Sequence, residues 1–108
     1  MKNDAFVELC VSLPALGALT QKVAGVHGPQ DPRLYQVLET FAGAAKDLNA
    51  LALGATDITA GDVAKKLEHL GELTDGFIPP PHACGSYRTL LERLDQLGEE
   101  ALPLLQHS

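Results

Sequence analysis

Apolar residues along this chain recur at steps of three and four, and nowhere do they alternate with polar ones over a strand's length. That period predicts helices with one buried face and no sheet. The first stripe is Phe6, Leu9, Leu13, Leu16, Thr20, Val23 and His27, which predicts a helix from about Asp4 to His27. Pro14 falls inside it. A proline removes one ladder hydrogen bond and crowds the preceding turn, so a bend or a split of the first turns is expected there. Gly28 stands just past the last turn, where a left-handed residue closes many helices.

The second helix opens on Asp31-Pro32. A carboxylate at the N-cap accepts orphan amide hydrogens, and proline at the first helical position loses nothing. Its stripe is Leu34, Leu38, Phe41, Ala45, Leu48 and Ala52, with Gly54 as the stop. The third helix is expected from Thr59, with Asp62 three residues on as an approximate capping box. Val63, Leu67, Leu70 and Leu73 form its inner face, and Gly76 ends it. Pro79-Pro80-Pro81 then makes a stiff connection. The fourth helix starts near Pro81 or His82, with Cys84, Tyr87, Leu90, Leu91, Leu94, Leu97, Ala101 and Leu105 facing inward, and Pro103 is expected to break its ladder. Four helices with short connections predict an all-α, antiparallel up-down-up-down four-helix bundle, filling residues 1–108 as one domain.

Composition narrows the function classes. Fourteen acidic residues outweigh eight basic ones, for a net charge of −6. Nucleic-acid binding needs a basic face, so no nucleic-acid partner is expected. No apolar run approaches the roughly 18 residues of a membrane span, and Met1-Lys2-Asn3-Asp4 lacks the pattern of a secretory signal, so neither a membrane nor export is expected. Two cysteines, Cys10 and Cys84, are too few for a disulfide scaffold, which points to the cytoplasm.

Three segments stand in order along the chain: Lys22-Val23-Ala24-Gly25-Val26-His27-Gly28, Glu72-Leu73-Thr74-Asp75-Gly76-Phe77 and Pro81-His82-Ala83-Cys84-Gly85-Ser86-Tyr87-Arg88. Together they resemble the hemerythrin-like di-iron domain, in the branch that repairs iron–sulfur centres under nitrosative or oxidative stress. The resemblance implies a bundle whose two irons are held by inward-facing His and Glu, including pairs four residues apart on one helix face. Counted outward from the matching segments, the ligand positions fall on Phe6, Leu51, Ala55, near Ala60, on Leu104 and on Ser108. No His-x-x-x-Glu pair occurs anywhere in the chain. The resemblance therefore implies a fold that has lost its metal ligands, so no metal and no cofactor is expected. His27 survives, but roughly 21 residues of helix separate it from Phe6, or about 31 Å, too far for one metal centre. Its place in the last turn suits a helix-end or packing role.

Other polar residues have plain readings. Glu68, His69 and Glu72 flank the third stripe and read as a solvated face. Cys84 stands near a helix start, where a thiol becomes reactive, yet its stripe position favours packing. Tyr87 needs a partner for its hydroxyl, ordinarily a backbone carbonyl. His107 adjoins the chain end.

Three functions fit these residues. The first is a metal-free module that binds a small apolar molecule at the Phe6, Leu51, Ala55, Ala60, Leu104 end, or that pairs there with a second copy as a homodimer. The second is a cofactor-independent enzyme using a buried His27, or Cys84 with Tyr87 and His82, as acid, base or nucleophile in an apolar pocket. The third is a residual iron-binding stress-repair protein, which the resemblance alone implies.

Overall fold

A computed structural model describes residues 4–106, and all of its regular elements are helices. His107 and Ser108 lie outside the described residues. The helices are α1 (Asp4–Cys10), α2 (Leu13–His27), α3 (Arg33–Ala52), α4 (Ala60–Leu73) and α5 (Gly85–Gln106).

The predicted first helix is two helices. Pro14 sits in the opening turn of α2, where its missing N–H is harmless, so the chain restarts rather than bends. The Val11 N–H closes α1 on the Glu8 carbonyl, and the Ser12 hydroxyl donates to the Leu9 carbonyl. Read together, Asp4–His27 is also long and apolar enough to cross a membrane by length and composition, with a mean hydropathy of 1.4. That corrects the expectation that no such run exists. A helix of a packed core passes the same test.

Three end signals act differently from expectation. Gly28 is not left-handed; its φ is −56°. It is glycine for space, because a Cβ there would lie 2.4 Å from the Tyr35 ring. Asp31 caps no amide of α3 with its side chain, which is instead drawn into tertiary contacts described below. Pro103 does not break α5, which continues through it to Gln106. Thr59 does cap α4, accepting from the Asp62 N–H at 3.2 Å.

The two interior connections start with the same closure. After α3 the Gly54 N–H reaches the Leu51 carbonyl and the Ala55 N–H the Ala50 carbonyl, with Gly54 at φ 88°. After α4 the Asp75 N–H reaches Glu72 and the Gly76 N–H reaches Gly71. This pair of hydrogen bonds satisfies carbonyls that the helix end leaves open and needs a left-handed residue at its first position. Gly54 meets that need freely. In the second case Asp75 takes it at φ 55°, followed by Gly76 at 80° and Phe77 at 65°. Thr74 holds this run, donating to the Leu70 carbonyl and accepting from the Phe77 N–H.

One core joins all five helices. Phe6, Leu16, Val23, Phe41, Leu48, Val63, Leu70, Leu90 and Leu94 are all buried. Leu38, Ala45 and Leu73 are only partly buried at its edge. Helix α2 packs on α3 and α5, and α4 packs on the same two helices, while α1 lies across α3 and α5 beside α2. Side-chain pairs link the end of α2, the start of α3, the end of α4 and the start of α5. That gathering creates the site described next.

Candidate functional site

The last residue of α2 is His27, and its imidazole faces the residue just before α5, Cys84. His27 Nε2 and Cys84 Sγ lie 3.0 Å apart. The thiol is exposed, which corrects its placement on the inner stripe. The physical reason is that α5 begins at Gly85, later than Pro81 or His82, so Cys84 is outside the helix and escapes its period. Its carbonyl still accepts from the Arg88 N–H at 3.0 Å, and the Arg88 Nε–H donates to the Ala83 carbonyl at 3.2 Å. These two bonds fix the thiol at the mouth of the helix.

Tyr87, in the first turn of α5, is buried and sets its ring 5.5 Å from that of His27, tilted by 49°. Its hydroxyl donates to Asp31 Oδ2 at 2.7 Å. The partner is thus a carboxylate rather than the expected backbone carbonyl. Burial pushes the Tyr87 pKa well above its ordinary value of 10.0, and the Asp31 hydrogen bond and charge push it further. Asp31 is held from two sides. Its N–H donates to the His27 carbonyl at 2.8 Å, and Arg33 lies 3.7 Å from its Oδ1. Arg33 also donates to Asp75 at 3.3 Å, tying α3 to the end of α4.

A cavity of about 90 Å³ adjoins the pair. Lys22, Val23, Val26, His27, Cys84 and Ser86 line it. Both sulfurs are free, but only one is set up this way. Cys10 is partly buried in α1, and burial raises its pKa above the ordinary thiol value, which keeps it protonated.

The five residues expected to line a ligand site lie away from this cavity. Phe6 is part of the core, and Leu51, Ala60 and Leu104 are partly buried against it. Ala55 serves the turn after α3 through its N–H. A cavity of about 90 Å³ therefore lies beside His27 and Cys84 and has none of these five in its lining. Nor do these side chains suit a di-iron centre, since all five are hydrocarbon and offer no donor atom. Among the described residues, no three His, Cys, Asp or Glu side chains are grouped so as to hold a metal ion. The His69 and Glu72 pair is a surface contact at 3.9 Å.

His27 was legible as one candidate, and Cys84 with Tyr87 and His82 as another. Their union and the part played by Asp31 were not. One signal points to both: when successive helices reverse direction, the end of the first lies beside the start of the last, and Asp31 is only four residues past His27.

No known family pattern, no curated protein and no solved structure matches this chain.

Proposed function

We propose that this chain is a cofactor-independent, thiol-reactive module, in which Cys84 captures a small uncharged electrophile and His27 takes the thiol proton. Within this proposal the helices form an antiparallel up-down-up-down bundle, similar to hemerythrin-like domains in outline but built to work without metal in a reducing compartment. The single observation that carries the reading is the 3.0 Å separation of Cys84 Sγ and His27 Nε2 at the edge of an apolar cavity.

The chemistry follows from the two helix ends. With the ring proton on Nδ1, Nε2 accepts the thiol proton as sulfur attacks. The bond from Sγ to the electrophile forms, and the leaving group departs with its electron pair. Moving that proton leaves negative charge at the start of α5 and positive charge at the end of α2. A helix N-terminus favours the first and a helix C-terminus the second, so both helix dipoles have the favourable sign. Tyr87 is a positioning residue: its ring supports His27, and Asp31 anchors its hydroxyl. Val23 and Val26 supply apolar walls, which favour an uncharged ligand.

Iodoacetamide is the direct probe, applied to the full chain in a Cys10→Ser background. Cys84 should alkylate at neutral pH, and His27→Gln should slow the reaction by about tenfold or more. Circular dichroism checks that the variant keeps its helices. Equal rates with and without His27, in folded protein, would falsify the pairing as functional.

A further inference from the structure

The size and protonation chemistry of this site narrow its substrate further, on the premise of the thiol reading above. We infer that its electrophile is a small hydroperoxide, which oxidises Cys84 to a sulfenic acid.

Three observations support the choice. The first is volume. A space of about 90 Å³ suits a molecule of a few heavy atoms, since a cavity of about 150 Å³ holds one benzene. Only a small molecule is held whole by so small a recess. The second is the absence of any carboxylate from the lining. An uncharged, electron-rich oxidant therefore meets no fixed negative charge beside the sulfur. The third is the proton carrier. Alkoxide and hydroxide are poor leaving groups and depart only when protonated, whereas iodide needs no proton. His27 Nε2 stands 3.0 Å from the attacking sulfur and holds the proton that the departing oxygen requires.

The step balances as follows. The Cys84 thiol passes its proton to Nε2, and Sγ attacks the peroxide's terminal oxygen. The Sγ–O bond forms, the O–O bond breaks, and the leaving oxygen takes the proton from Nε2. Sulfur loses two electrons and the peroxide gains them, so Cys–SH and ROOH become Cys–SOH and ROH. Cys10 cannot resolve the product, because the 15 residues of α2, about 22 Å of helix, separate it from the α2 end at which Cys84 sits. Reduction therefore falls to a small external thiol. One molecule displaces water to give a mixed disulfide, and a second releases Cys84 with formation of the small disulfide.

The test uses the full chain in the Cys10→Ser background. Hydrogen peroxide, cumene hydroperoxide and iodoacetamide are applied in parallel, dimedone traps the sulfenic acid, and mass spectrometry reads the site. Hydrogen peroxide should oxidise Cys84 about tenfold or more faster than in the same chain unfolded in denaturant. Cumene hydroperoxide should react more slowly than hydrogen peroxide. His27→Gln should lower the peroxide rate by about a hundredfold, more than it lowers alkylation. Fast alkylation without accelerated peroxide reaction overturns this inference and leaves the thiol reading standing. Slow reaction with both reagents overturns both. An equal effect of His27→Gln on both reagents, or faster reaction with cumene hydroperoxide, overturns the assignment of a small hydroperoxide.

Discussion

At the scale of the residue, the site depends on side chains whose surroundings leave little choice. Gly28 is the clearest case. Its backbone is ordinary, but the Tyr35 ring occupies the place of a Cβ. Gly28→Ala must displace that ring or the turn that leads to Asp31. The expected cost is about 1–3 kcal/mol, read as a lower denaturant midpoint with unchanged slope. Tyr87 makes a prediction in pH. Its pKa is raised in the folded chain, so below the ordinary value of 10.0 folded and unfolded chains are both protonated there, and its contribution is complete. Above that value the unfolded chain loses the proton first, and stability falls as pH rises. Denaturant melts at about pH 8 and about pH 11 should show a loss that is smaller in Tyr87→Phe than in the parent chain. The same variant loses the Asp31 hydrogen bond, at about 1 kcal/mol near neutrality.

At the scale of the element, helix ends matter more than helix interiors. Most helix-interior positions followed their period, because period is a local property of the chain; in α3 the buried face turns by one position at two places, to Val37 and Ala44 in place of Leu38 and Ala45. The ends depended on neighbours. Asp31 was expected to cap α3, but Tyr87 of α5 offered its carboxylate a buried donor, and the tertiary bond prevailed. Cys84 was read as part of a helical stripe because α5 was started three or four residues too early. Glycines now divide into two kinds with opposite predictions. Gly54 is left-handed and completes the closure of α3, so Gly54→Ala should destabilise by about 1 kcal/mol. Gly98 lies within α5, and an added Cβ meets nothing within 4 Å. Gly98→Ala should stabilise by about 0.5–1 kcal/mol, since glycine in a helix interior gives up more backbone freedom than alanine. Thermal melts of the two variants side by side check the sign of each.

At the scale of the whole molecule, the all-helical class and most of the core were legible from sequence. Phe6, Leu16, Val23, Phe41, Leu48, Leu67, Leu90 and Leu94 were assigned inward from spacing and are buried. The candidate site was legible only in pieces, because His27 and Cys84 are brought together by packing across 57 positions of sequence. No local pattern encodes such a pair. The apolar residues Phe6, Leu51, Ala60 and Leu104 drew attention to one end of the molecule, yet the pairing of thiol and imidazole lies at the other. Apolar side chains at an end join the core, as these do, whereas the turns at the opposite end bring His27, Asp31, Cys84 and Tyr87 together.

The account stands on the claim that folding itself makes Cys84 the reactive thiol. Competitive labelling of the intact chain with limiting iodoacetamide, read as the ratio of modified Cys84 to modified Cys10, measures this within one molecule. The predicted ratio is about ten or more in the folded protein and falls to about one in denaturant, where both thiols meet the same solvent. A folded ratio near one would contradict the account, and so would a high ratio that persists after unfolding.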